Sequence, residues 1–214
     1  MPVLELHEDD QYLVATADTP LFAVWEAVPK GLLPPFPPVE LPGGVGGLVT
    51  RGGFGQNFFF PSEVLGLVFR APSGRVVRAG GRVIKNVQGY DLVRPFVGSF
   101  GLLGEVLEVT LRLRPARAQG LFRRPGTLEP PYPAAARFVW QEGDTVFVYA
   151  AGHPKELAAF ADWEAASGPL DYRPLFPHGM GVGEGPVRDL RFSWADGGRV
   201  PDPHPLFRRL AEAL

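Results

Sequence analysis

The residues best suited to chemistry lie in two glycine-dense stretches. Leu41 to Gly55 reads LPGGVGGLVTRGGFG. Glycine has no Cβ, so main-chain amides there can approach an anion or a flat cofactor. Turn geometry is the plainer reading of the same residues. Gly81 to Pro115 reads GRVIKNVQGYDLVRPFVGSFGLLGEVLEVTLRLRP. It joins Lys85-Asn86, Gly89-Tyr90-Asp91 and Gly98-Ser99-x-Gly101-x-x-Gly104, and it closes on an alternating segment. A polar loop, a glycine loop and a strand in succession suit the edge of a buried ligand. No residue stands out as a general base.

Other chemistries are excluded by pattern. The chain has no G-x-x-x-x-G-K-[ST] and no G-x-G-x-x-G, since Gly44-Val-Gly46 meets Val49 at the sixth place. Val97-Gly-Ser99-Phe-Gly101 lacks the first glycine of a nucleophile elbow. His7, His153, His178 and His204 fall at non-ligand spacings and read as surface or cap residues. The Pro177-His-Gly-Met-Gly-Val-Gly-Glu184 stretch reads as a glycine-rich loop, and no metal site is expected. Cysteine is absent, which removes disulfides, iron–sulfur ligation and thiol nucleophiles from this chain.

Those stretches need a folded body around them. The chain has 214 residues, 45% of them apolar and 21% charged, values of an ordinary globular protein. Its 27 glycines and 24 prolines fall between apolar segments and read as tight turns. Lys and Arg number 21 against 23 Asp and Glu, so no basic field exists to hold nucleic acid. No apolar run approaches the roughly 18 residues of a membrane span. MPVLELHEDD has no basic, apolar leader. A cytoplasmic location is expected, with any membrane association made through partners.

Hydrophobic periodicity predicts strands at Val3 to Leu6 and Tyr12 to Ala17. A helix should follow, with Thr19 as N-cap, Pro20 at the first turn and Gly31 as its end. Leu32 to Pro38 is expected to be an extended connector, because its prolines lack amide donors. Val64 to Ala71 and Val76 to Ala79 form a predicted hairpin about Ser73-Gly74, and Val83-Ile84 a further short strand. A loop with a short helix should span Val87 to Val97. From Leu107 to Arg114, Leu107, Val109, Leu111 and Leu113 are expected inward. Residues 116–133 read as a linker rich in Pro, Gly and Arg. Beyond them come a hairpin at Phe138 to Tyr149, an amphipathic helix over Pro154 to Ala166, a loop to Pro186, a strand at Val187 to Trp194 and a helix over Pro205 to Leu214. The expected organisation is residues 1–115, the linker 116–133, and a small β-β-α-β-α unit at 134–214. The fold class is α+β, with a mostly antiparallel sheet and flanking helices.

The second glycine stretch resembles the FAD-linked oxidases of the vanillyl-alcohol oxidase/p-cresol methylhydroxylase type, and within them the glycolate oxidase E-subunit family. Members of that family read G-G-x-V-x-K-N-V-x-G-Y-D-L, then G-S-x-G-T-L-G-V, then E-V-T-L-x-L-x-P. Matches fall at Lys85-Asn86-Val87, Gly89-Tyr90-Asp91-Leu92, Gly98-Ser99, Gly101, Leu103-Gly104 and Glu108 to Leu111. Ala17 to Leu21 looks like the family's A-G-T-P-L, Leu33-Pro34 to Pro38 like its L-P-F-x-P-P, and Val45-Gly46-Gly47 like its T-L-G-G flavin loop. The likeness covers roughly residues 10–115.

The resemblance implies the second FAD-binding subdomain of that fold and the oxidation of glycolate, or a similar 2-hydroxy acid, to the 2-oxo acid through FAD. It implies Gly46, Gly47, Gly98, Ser99, Gly101 and Gly104 approaching the flavin by main chain. Lys85, Asn86, Gly89, Tyr90 and Asp91 would then line the ring edge or brace the loop. It implies flavin-bearing and iron–sulfur glycolate oxidase subunits as partners. Three departures stand beside it. The Ala17 to Pro20 motif comes so early that the pyrophosphate subdomain with its R-G-x-G-[TS] loop is expected to be missing. Leu102 replaces a threonine, and Glu105 replaces an apolar residue near the expected flavin. The alternative is therefore a non-catalytic structural subunit with a degenerate FAD site that docks catalytic partners.

Overall fold

The computed structural model describes residues 3–81, 91–176, 187–189, 202 and 204–214. In chain order the strands and helices are β1 (Val3–His7), β2 (Tyr12–Thr16), α1 (Leu21–Ala27), β3 (Leu32–Leu33), β4 (Val39–Glu40), α2 (Gly44–Arg51), β5 (Val64–Arg70), β6 (Val76–Gly80), α3 (Val93–Phe96) and β7 (Glu105–Arg112). There follow β8 (Arg114–Pro115), β9 (Ala118–Pro125), β10 (Ala136–Glu142), β11 (Thr145–Gly152), α4 (Pro154–Leu157), β12 (Glu164–Ala165), β13 (Leu170–Asp171), β14 (Val187–Asp189) and α5 (Pro205–Ala213). The class is α+β with mostly antiparallel sheets. No helix among the described residues is long and apolar enough to cross a membrane.

The first sheet has the order β1-β2-β7-β5-β6, and each neighbouring pair is antiparallel. Its inner face carries Leu13, Ala15, Leu67, Phe69, Val109 and Leu111 into the main core. Val109, Leu111 and Leu113 are fully buried as the alternation requires. Val106 is buried and Leu107 only half-buried, because the β5–β7 register shifts between Val68 and Phe69.

The second sheet has the order β12-β9-β11-β10-β14. One face puts Phe138, Trp140, Phe147 and Tyr149 into the same core as the first sheet, so both sheets bury against each other's apolar side chains. Trp140 stacks on Phe147 with ring centroids 5.5 Å apart. Its Nε1 donates to the Tyr172 hydroxyl at 3.0 Å, which supplies the partner a buried indole needs. The other face holds Val139, Val146, Val148 and Phe160.

Several sequence expectations change here. The stretch read as a linker, 116–133, contributes β9, which pairs with β11 from Ala118↔Gly152 to Pro125↔Thr145. Leu121 is the only hydrophobic side chain β9 buries among the described residues, so backbone pairing rather than a hydrophobic pattern holds this strand. The helix expected over Pro154 to Ala166 stops at Leu157 and runs on as one 3₁₀ turn at Ala158–Phe160. The chain then leaves helical form because Glu164 and Ala165 pair with Arg123 and Phe122 at the sheet edge. The Arg124 guanidinium covers the Trp163 ring at 4.3 Å. The Leu32 to Pro38 connector is free of helix as expected but extended only at its start: Leu32–Leu33 pair with β8, the backbone bends at Pro35, Phe36 and Pro38, and Leu33 and Phe36 are buried.

Candidate functional site

The first glycine stretch is a helix, not a loop. Helical glycine costs about 1 kcal/mol relative to alanine, so something must offset it in α2. The reason lies in the turn after β2. A Cβ on Gly44 would sit 2.4 Å from the Thr19 carbonyl oxygen, and one on Gly46 would sit 2.7 Å from Ala17 Cβ. Backbone therefore packs directly on backbone. The contact is hydrogen-bonded: the Val45 amide donates to Thr19 O at 2.9 Å, Gly46 to Ala17 O at 2.7 Å, and Gly47 to Gly43 O at 2.8 Å.

Helix α1 begins at Leu21, one turn position later than the Thr19 N-cap predicts, and no side chain of its own caps it. The cap arrives from β4. The Glu40 carboxylate accepts from the Leu21 and Phe22 amides at 3.1 Å each. Glu40 is 2% exposed, and the α1 N-terminus compensates its burial.

The second glycine loop folds onto α2. Gly98 donates to Val49 O at 3.0 Å, Phe100 to Thr50 O at 2.9 Å and Gly104 to Gly101 O at 3.1 Å. A Cβ on Gly104 would meet the Arg70 carbonyl oxygen at 2.1 Å, so this glycine too serves close packing. Between the two loops lies a cleft of about 530 Å³. Gly46, Gly47, Gly101 and Gly104 line it, together with Ala17, Asp18, Glu40, Thr50, Glu105 and Arg173.

The remaining predicted residues stand elsewhere. Gly98 packs on Gly52 rather than on the cleft, its Cβ position 3.7 Å from Gly52 Cα. Ser99 is buried, and its hydroxyl has no partner among the described residues. Asp91 is exposed; it accepts from the Arg94 amide at 3.3 Å and pairs with the Arg94 guanidinium at 3.1 Å, bracing α3. Lys85, Asn86, Gly89 and Tyr90, the Val83-Ile84 strand and the His178 loop lie outside the described residues. Glu40 and Arg173 carry no local motif, which is why sequence reading missed them, and Asp18 lies inside the Ala17 to Leu21 motif, at the place of the family's glycine, where sequence reading gave it no role.

Comparison with known proteins gives the cleft a context. Residues 121–197 match a family of unknown function (DUF5639). The chain is 43% identical over 67 residues to the glycolate oxidase subunit GlcE of Escherichia coli, covering 31% of this chain and 19% of that protein. It is 48% identical over 52 residues to the glycolate oxidase subunit GlcD of Bacillus subtilis, covering 24% and 11% respectively. The D-lactate dehydrogenase of Archaeoglobus fulgidus matches at 32% over 121 residues, 54% of this chain and 27% of that one. Over these partial stretches the chain is similar to glycolate-oxidase-type FAD-linked oxidases. It spans between about a tenth and a quarter of the length of these three relatives. All three are named as oxidases or dehydrogenases of 2-hydroxy acids.

Whether a cleft of this composition suits FAD can be tested on its donors. The volume falls within the roughly 300–1,000 Å³ of ligand sites. The donors do not fit a diphosphate. The α2 amides of Val45, Gly46 and Gly47, and those of Gly98 and Gly104, are already spent on carbonyls of this chain. The lining side chains bring three carboxylates, Asp18, Glu40 and Glu105, against one guanidinium, Arg173. Asp171 grips Arg173 through Nε at 3.0 Å and a terminal nitrogen at 2.6 Å. That grip holds the exposed Asp171 carboxyl below its usual range and raises the guanidinium. Glu105, exposed at the rim, pairs with Arg70 at 2.8 Å. A phosphate within about 4 Å of any one carboxylate would cost on the order of 1–4 kcal/mol at surface dielectrics.

Proposed function

We propose that this chain is a non-catalytic structural subunit of a flavin-linked 2-hydroxy-acid oxidoreductase, one that keeps the oxidase fold while a partner subunit carries the flavin. The observation that supports this reading is the use of the glycine amides. Helix α2 and the Gly98 to Gly104 loop direct them at Ala17, Thr19, Val49 and other carbonyls of the same chain. Amides spent in this way cannot also neutralise a diphosphate, and the carboxylates around them oppose one. Glycolate is the substrate class we assign to the assembly, on the names of GlcE and GlcD. Those names also support an assembly of several subunits, and we propose flavin-bearing and iron–sulfur subunits as the partners.

The second reading is that this chain holds FAD itself. The size of the cleft and the FAD-linked relatives favour it. The two readings part in one titration. The purified chain at low micromolar concentration is mixed with FAD up to about 100 μM, where a Kd near 1 μM gives almost full occupancy. The structural reading expects no saturable change in flavin absorption or fluorescence, and a flavin band only when partner subunits co-purify. A stoichiometric band on the isolated chain overturns it in favour of the second reading.

A further inference from the structure

A second cavity, of about 200 Å³, shares no lining residue with the cleft. Its walls are apolar: Leu33 and Pro34 from the connector, with Phe58 set edge-to-face on Phe138 at 5.5 Å. Three charged side chains enter it, Glu63, Arg114 and Arg137. Glu63 is 3% exposed, and both its oxygens are taken by Arg114, at 2.9 Å from Nε and 2.6 Å from a terminal nitrogen. This fork-to-fork pair is neutral as a unit.

Arg137 differs. Its Nε donates to the Ala151 carbonyl at 3.4 Å, and its terminal nitrogens have no partner among the described residues. The cavity thus presents one uncompensated guanidinium fork beside two aromatic rings. A fork of that kind matches the planar, bidentate geometry of a carboxylate. At about 30 Å³ for each water, the space holds roughly seven waters. A space of that size suits a small, flat acid.

We propose that this cavity is a binding site for a small aromatic monocarboxylate, its carboxylate on Arg137 and its ring against Phe58 and Phe138. The site needs no flavin and stands whether or not the cleft holds one. An oxyanion could equally come from inorganic phosphate, but phosphate leaves the aromatic walls unused.

The test is calorimetric titration of the full chain with benzoate, benzamide and inorganic phosphate, repeated on Arg137→Gln. Arg137 is exposed, so the substitution removes charge without opening the core. Benzoate should saturate below about 10 mM, and benzamide, phosphate and the variant should each bind about tenfold more weakly or less. No saturation by benzoate, equal affinity in Arg137→Gln, or phosphate binding as tightly as benzoate would each overturn the proposal. Amide shift mapping on the unmodified protein decides independently of the variant: benzoate should move Phe58 and Ala151, and shifts confined elsewhere refute the site.

Discussion

The Gly46 amide donates to the Ala17 carbonyl at 2.7 Å, and the Gly46 Cβ position lies the same 2.7 Å from Ala17 Cβ. Hydrogen bond and close packing are one contact, made possible by the missing side chain. Gly46→Ala should therefore destabilise the fold, although alanine is the better helix former. Overpacking costs typically about 1–3 kcal/mol. In a chain of this size that is a fall of roughly 2–12 °C in melting temperature. An unchanged or raised melting temperature would mean that α2 is not seated on the β2 turn.

Glu40 reaches across 18 and 19 residues to cap α1. Glu40→Ala should cost about 1–2 kcal/mol in denaturant unfolding, the upper part of the range for a lost N-cap. Glu40→Gln keeps one acceptor oxygen and should lose about half as much. Equal losses in both variants would show that the charge, not the hydrogen bond, carries the contribution.

Glu105, which lines the cleft, and Leu102 are departures from the family pattern in the second glycine stretch. If charge alone kept flavin out, Leu102→Thr combined with Glu105→Val would restore binding. The engaged amides of α2 predict otherwise. The double variant should titrate with FAD no better than the parent chain. The exposed Arg70–Glu105 pair should cost at most about 1 kcal/mol when broken. Saturable FAD binding by the double variant would place the obstacle in these two side chains.

Local pattern revealed the elements whose faces are simply divided. The β1–β2 and β5–β6 hairpins, the inward row of β7, the β10–β11 hairpin and α5 all follow from alternation or helical spacing. What sequence concealed depends on distant partners. Helix α2 exists because Ala17 and Thr19 accept its amides, and glycine composition alone reads as turn. Strand β9 exists because β11 offers an edge, although Pro, Gly and Arg suggest a linker. In the site, Gly46, Gly47, Gly101 and Gly104 were identifiable by motif, and the cleft brings them together. Of the carboxylates facing them, Glu105 is legible as a charged departure from the family pattern and Asp18 lies inside the Ala17 to Leu21 motif, whereas Glu40 comes from a segment with no signature, so the electrostatic character of the cleft is legible only in part.

Tyr172 ties β10 to the cleft region, its amide donating to the Glu40 carbonyl at 3.0 Å, and its titration should be visible in stability. Its hydroxyl accepts from Trp140 Nε1 and donates to Glu142 at 3.0 Å. Burial raises its pKa well above the ordinary phenol value near 10, with the Glu142 carboxylate adding to the effect. Tyr149, also buried, is raised by desolvation. In both cases the folded state holds the proton more tightly than the unfolded chain does. Their stabilising effect is complete below pH about 10 and is lost as pH climbs from there through the folded-state values. Melting temperature should thus be flat from pH 8 to about pH 10 and fall beyond it. Tyr172→Phe cannot ionise. It should lower stability at pH 8 by about 1 kcal/mol, through the lost hydrogen bonds. It should also make the fall above pH 10 shallower than in the parent. Parallel alkaline slopes in parent and variant would show that the Tyr172 phenol ionises as freely in the folded protein as in the unfolded chain.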